Sequence, residues 1–237
     1  MSADPLTNPV WHALTTRQRA LADGAGRARR YREDVSVFWA VDELDDGGWA
    51  ALAELAGPNQ GVVLVRDHLD GAPPGWTVLG GGTGDQMIAA TLAPPTRAPA
   101  FDIRPLTHDD VGEMLALIEL TRPGPFLAGT IELGDYFGVD DDGRLVAMAG
   151  ERMRLPGYTE ISAVCTHPDA RGRGLAAALT RRVAVRIHDR GETPILHVRR
   201  DNHDAIRVYE RLGFTVNRGI DFFWYRTPDG EARPARS

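Results

Sequence analysis

The sequence contains no lysine: all 27 basic residues among its 237 are arginine. That absence excludes a pyridoxal Schiff base, a lysine nucleophile and a P-loop whose lysine reaches the terminal phosphates. Cysteine is nearly absent too. The single Cys165 can form neither an intrachain disulfide nor a thiolate zinc cluster. The seven histidines are scattered, without His-Glu-x-x-His spacing, so no metal is expected. None of the four serines (Ser2, Ser36, Ser162 and Ser237) stands in a Gly-x-Ser-x-Gly elbow, which argues against a serine hydrolase. Long apolar runs are missing: Val35 to Val41 is broken by Ser36 and is far too short to span a bilayer. Residues 1–14 have neither the basic start nor the apolar stretch of a secretion leader, so a cytoplasmic protein without a membrane partner is expected. A net charge of −6 and a pI of about 5.6 disfavour a broad nucleic-acid footprint.

What is present is an ordinary globular composition, 43% hydrophobic and 25% charged, in a chain long enough for one large or two small domains. The clearest break is Ala93-Pro-Pro-Thr-Arg-Ala-Pro-Ala100, where prolines fix φ and remove donors. It suggests a smaller α/β domain over 1–98, a second domain over 101–228 and a flexible tail over 229–237. In the first stretch, 35–41, 61–66 and 75–79 read as strands and 49–55 as a short helix.

The second stretch is more legible. Residues 101–106 read as an opening strand, and Thr107 offers an N-cap to a helix ended by Arg122-Pro-Gly-Pro125. Residues 136–139 and 144–152 flank Asp140-Asp-Asp-Gly143 as a hairpin. Next comes a strand to Thr166, in which strict alternation puts Ile161, Ala163 and Cys165 on one face and Glu160, Ser162, Val164 and Thr166 on the other. Cys165 then reads as a small core residue, and the second set as a cleft wall. After His167-Pro-Asp-Ala comes Arg171-Gly172-Arg173-Gly174-Leu175-Ala176. Leu175, Leu179, Val183 and Ile187 recur every four residues, which predicts a helix of about four turns stopped by Gly191. A helix N-terminus reached through two glycines and two arginines offers backbone N–H groups to phosphate. Taken alone, such a loop reads more readily as a plain, flexible surface helix start.

Gly172-x-Gly174-x-x-Ala177 also fits a dinucleotide fingerprint, but His167 to Arg171 separate the glycines from the strand, so that reading is disfavoured. Thr193 to Val198 reads as the next strand. The following helix, about His203 to Leu212, carries Ala205, Val208, Tyr209 and Leu212 on one stripe and ends at Gly213. Strands at 215–217 and 221–226 complete the unit.

Two segments in order carry a family likeness. Val164-Cys-Thr-His-Pro-Asp-Ala-Arg-Gly-Arg-Gly-Leu-Ala176 resembles the coenzyme-binding motif of the GNAT acyltransferase superfamily, and Asn202-x-x-Ala205-x-x-x-Tyr209-Glu-x-Leu-Gly-Phe214 resembles its next motif. The likeness covers 101 to about 226. It implies an α/β fold of GNAT type, a central mixed β-sheet flanked by helices. The first hundred residues lack the motif pair and read as a smaller α/β domain or a degenerate second copy of the fold.

The likeness further implies acetyl-CoA as co-substrate and direct N-acetyl transfer in a ternary complex. The acceptor would be a primary amine: a small molecule, an amino-acid-like compound or a peptide N-terminus. The pyrophosphate would lie on the amides of Arg171, Gly172, Arg173, Gly174, Leu175 and Ala176, and the pantetheine arm along Val164, Cys165 and Thr166. Asn202 would contact the coenzyme or merely cap its helix. Tyr209 would protonate the departing thiolate, since a phenol with a pKa of about 10 stays protonated at neutral pH. An amine with a pKa near 10.4 must shed a proton before attack. Glu160 is the first candidate base because its face also carries Val164; His197 is second, as an imidazole titrates closer to working pH. Glu132, in the loop region before the hairpin, could attract a cationic acceptor. The alternative from another class is a non-catalytic acyl-CoA-binding or sensory module. Oligomeric state is not readable.

Overall fold

The structure, a computed structural model, describes residues 4–69, 71–95 and 101–230. The last five residues of the proline-rich break and residues 231–237 of the expected tail lie outside it. The first stretch forms α1 (Pro9–Thr15), β1 (Ala22–Asp23), β2 (Ala28–Tyr31), β3 (Phe38–Val41), α2 (Asp46–Ala56), β4 (Gly61–Arg66) and β5 (Thr77–Ile88). The second forms β6 (Arg104–Pro105), α3 (Val111–Thr121), β7 (Tyr136–Asp141), β8 (Arg144–Leu155), β9 (Tyr158–Thr166), α4 (Leu175–Asp189), β10 (Thr193–Arg199), α5 (His203–Leu212) and β11 (Thr215–Arg226).

These elements build one mixed sheet in the order β1-β2-β3-β4-β11-β5-β10-β9-β8-β7-β6. The order is nearly a palindrome about the central pair β11 and β5. On one side β3 runs parallel to β4 with α2 as the crossover; on the other β9 runs parallel to β10 with α4 as the crossover. The central strands are exchanged. β5, from the first stretch, pairs with β10, while β11, from the second, pairs with β4. The two stretches therefore share one sheet, with ladder hydrogen bonds running across all three joins, β4–β11, β11–β5 and β5–β10.

Helix stripes explain how the layers close. Leu175, Leu179, Val183 and Ile187 of α4 are all 1% exposed or less, and each such side chain contributes about 1.5–3 kcal/mol when buried. They pack with Ile161, Leu196 and Phe214 on one face of the sheet. On the opposite face of β8 and β9, Met114 and Leu117 of α3 pack with Met148 and Cys165. Asp45 caps α2 by accepting from the Gly48 N–H at 2.7 Å. No helix among the described residues is long and apolar enough to cross a membrane.

Several elements differ from their expected bounds. β5 continues through Gly80-Gly81-Gly82-Thr83-Gly84, a run that reads as a breaker, because β11 pairs along it and β10 reaches Gly84. At Gly84 a Cβ would meet the Val198 carbonyl oxygen at 2.6 Å, so the close approach demands glycine. The strands expected at 215–217 and 221–226 are one strand with an irregularity between Val216 and Arg218. β6 is only Arg104–Pro105, much shorter than the expected 101–106.

Candidate active site

The site opens where two parallel strands part. β9 and β10 pair from Tyr158↔Thr193 to Ile161↔Leu196 and then separate. Ser162 to Thr166 on one side and His197 to Asn202 on the other line a cavity of about 1270 Å3. An open strand edge of this kind presents backbone donors and acceptors to an extended chain, as an added strand would.

At one end of the cavity lies the start of α4. Gly172 and Gly174 adopt φ of 78° and 80°, a left-handed region that glycine enters without steric cost. No side chain caps the helix, and Gly174 itself is the N-cap. The first-turn N–H groups and the positive end of the helix dipole are thus available to an anion. Arg171 lines the cavity, whereas Arg173 points to an ion pair with Asp141. Arg122, Arg199, Arg200 and Arg211 also line it, against Asp201 and Asp204. The wall is cationic overall.

The face assignment on β9 needs correction. Pairing with β8 runs Cys165↔Met148 but Ser162↔Gly150, so β9 holds one extra residue, and Ala163 sits at φ 52°. This bulge breaks the alternation. Ile161 and Val164 pack on the α4 side, while Ala163 and Cys165 pack with α3. Glu160 and Val164, expected on one face, are therefore on opposite faces, because the bulge reverses the pleat between them.

Glu160 is fully buried in a polar network that the sequence does not announce. Arg152 grips its carboxylate with Nη2 on Oε1 and with Nε on Oε2 at 2.8 Å. The His197 Nδ1 lies 2.7 Å from Oε1, and its Nε2 lies 3.1 Å from the Gln86 Nε2. Gln86 completes the set: its Nε2 also donates to the Leu6 carbonyl, and its Oε1 accepts from the Asn217 Nδ2. That network assigns the proton of a neutral His197 to Nδ1 and the lone pair to Nε2. Burial would raise the Glu160 carboxyl, but Arg152 and then His197 outweigh it and hold it down at about 2. Both carboxylate oxygens are occupied, so Glu160 is arranged as the partner of Arg152 and His197 and does not present a free basic atom to the cavity. The His197 side chain is 1% exposed.

Tyr209 lines the same cavity, and its hydroxyl has no hydrogen-bond partner among the described residues. Burial pushes the phenol up to about 12. Asn202 caps α5, its Oδ1 accepting from the Ala205 N–H at 3.2 Å, at a position that also borders the cavity. Cys165 is a core residue, 6% exposed, whose thiol burial pushes up to about 11. Glu132 lies away from the cavity lining and accepts from Arg32 Nη2 at 2.7 Å. The cavity thus gathers Val164, Cys165, Thr166, Arg171, Gly172, Gly174, Leu175, Ala176, His197, Asn202 and Tyr209, while Arg173 and Glu160 lie behind its wall.

Sequence reasoning missed Arg152, Gln86 and the glycine floor of β5. Arg152 stands in the cavity wall, 4.9 Å over the Phe38 ring. In the sequence Arg152 stands in the charged run Glu151-Arg152-Met153-Arg154, where nothing singles it out.

The chain and its fold have known counterparts. A family model described as FR47-like protein matches residues 136–222. A mycothiol acetyltransferase from Mycolicibacterium paratuberculosis is 39% identical over 226 residues, taking in 84% of this chain and 67% of that protein. A crystal structure from Novosphingobium aromaticivorans, described as an acetyltransferase of the GNAT family, has a TM-score of 0.86 and 41% identity over 94% of this chain and 99% of that one. A GCN5-related N-acetyltransferase from Kribbella flavida shares the fold alone, at a TM-score of 0.62 and 18% identity over 94% of this chain and 97% of that one.

Proposed function

Because the chain belongs to the GNAT family of acetyltransferases, we propose that it carries an acetyl group from acetyl-CoA directly to a primary amine. One observation supports this above the rest. A single cavity holds an uncapped helix start reached through two glycines, an open strand edge and a buried, protonated tyrosine. The pyrophosphate is assigned to the amides of Arg171 to Ala176, with the Arg171 side chain nearby, and the pantetheine arm to the edge of Val164 to Thr166. Arg173 serves the loop through Asp141. Asn202 sets the start of α5, so its contact with the coenzyme is through placement of that turn.

In the reaction the amine nitrogen attacks the thioester carbonyl. A C–N bond forms, the C–S bond breaks, and the thiolate takes a proton from the Tyr209 hydroxyl. The amine's proton goes to His197 Nε2, which must exchange Gln86 for the acceptor to receive it. Glu160, held ionised by Arg152, orients His197 and stabilises the imidazolium that results. The setting proposed is cytoplasmic, with no metal.

Thiol release from acetyl-CoA in the presence of an amine panel tests the reading. The relatives' name places a mycothiol-related amine first in that panel, followed by amino acids and short peptides. Thiol should appear only with amine, in step with acetylated product. If CoA raises the melting temperature but no amine releases thiol, the chain is an acyl-CoA-binding module instead.

A further inference from the structure

The main cavity does not end at the reacting centre. A second cavity of about 650 Å3 lies beside it, and the two share Val63, Gly81, Pro125 and Phe222 in their linings. Between them runs the glycine stretch of β5. Gly82 pairs with Phe222 and Gly80 with Trp224, so each glycine shares a face with the ring opposite. Phe222 in turn stands edge-on to His197, with ring centres 5.9 Å apart. A Cβ built at Gly80 or at Gly82 meets nothing within 4 Å, and neither residue has the positive φ that would require glycine. Backbone geometry and packing therefore leave these two glycines unexplained. Their effect is a strip of bare strand joining the His197 end of the main cavity to a recess bordered by Trp39 and Trp224. Trp224 is 53% exposed, a large aromatic surface left open at the far end of that strip.

Building on the amine-acceptor reading above, we propose that the strip is the floor of an acceptor channel. The acceptor is elongated: its amine lies at the His197 end, its body crosses Gly82 and Gly80, and a flat, ring-bearing or apolar group rests against Trp224 in the second recess. Two residues of strand span about 7 Å, which sets the length needed beyond Gly82. Gly80 and Gly82 determine specificity by what they lack, since any longer side chain there would close the channel.

The test uses the full chain, acetyl-CoA, and butylamine compared with phenylalkylamines of two, four and six methylenes. Wild-type kcat/KM should rise at least tenfold from butylamine to the longest ring-bearing amine. Gly80→Leu should collapse that ratio at least tenfold, chiefly through KM, whereas Gly80→Ala, which fits the open space, should keep it within about twofold. Binding of 6-phenylhexylamine, read by Trp fluorescence, should be lost in Gly80→Leu and weakened in Trp224→Ala. A wild-type ratio near one, or a ratio and binding indifferent to Gly80→Leu, overturns the channel. Binding that Gly80→Leu abolishes, without acetylation of any amine, supports the channel and removes the transfer reading instead.

Discussion

Tyr209 combines three properties that a proton donor to a thiolate needs: a place in the cavity wall, a hydroxyl unclaimed by the described residues, and a phenol kept protonated by burial up to about 12. Tyr209→Phe removes only the oxygen and should lower kcat on the order of 10²-fold, with CoA affinity by calorimetry changed less than about twofold. Unchanged kcat would return Tyr209 to a packing role. Glu160 makes a different kind of prediction. Its carboxyl lies at about 2 in the folded protein against an ordinary 4.5, so the unfolded chain binds that proton more tightly. The resulting stability is present in full above about 4.5 and drains away as pH falls towards 2. Glu160→Gln leaves Arg152 buried and unpaired, at a cost of about 3–5 kcal/mol near neutral pH. The gap in urea midpoint between wild type and variant should narrow as pH drops below about 4.5. A gap that is constant down to pH 3 would contradict the network.

At the scale of elements, the bulge in β9 decides which side chains meet. Ala163 takes a left-handed φ of 52°, which alanine tolerates and a β-branched residue does not. Ala163→Val should lower CoA affinity about tenfold by shifting the strand edge at Val164 to Thr166, while Ala163→Gly should keep it; calorimetric titration with CoA separates the two. The same bulge marks a limit of sequence reading. α4, β9, β10 and α5 were legible because their stripes are long and Gly174 and Gly213 punctuate them. The alternation of β9 was not, since a single extra residue leaves no mark in composition. β1 and β2 are two and four residues long, too short for a period to emerge. The glycine half of β5 carries almost no side chains from which a period of two could be read, and only the strands on either side reveal it as sheet. Arg152 became a site residue only once the turn between β8 and β9 brought Glu160 to it.

For the whole molecule, the exchanged central strands tie the two stretches together. Removing β11 would strip β4 of a neighbour, and removing β5 would strip β10. The first stretch closes the ends of its own parallel pair, β3 and β4: the Asn8 side chain donates to the Val41 carbonyl at 2.8 Å, and the Asp67 N–H donates to the Thr7 carbonyl at 3.0 Å. Residues 7 and 8 thus bridge the ends of β3 and β4, where the corresponding ends of β9 and β10 stand open. One cooperative unfolding transition is expected. Four of the five tryptophans (Trp11, Trp39, Trp49 and Trp76) lie in the first stretch, so fluorescence weights that side, while far-UV circular dichroism averages both. The two urea curves should coincide. A separate earlier fluorescence transition would show that the first stretch melts alone.

The strand exchange also sets a timetable for folding. Arg66 finds its partner in Asp221, and Ile88 finds partners in both Ile195 and Thr215. Pairings so distant along the chain fold slowly, because loop-closure entropy is lost before their contacts form. During synthesis β4 and β5 leave the ribosome long before β10 and β11 exist. Until then they carry unpaired edges, which in β4 belong to an apolar Val62 to Val65 core run. The glycines of β5 then have a second value: a flexible, side-chain-poor edge is a weak template for wrong partners while it waits for the right ones.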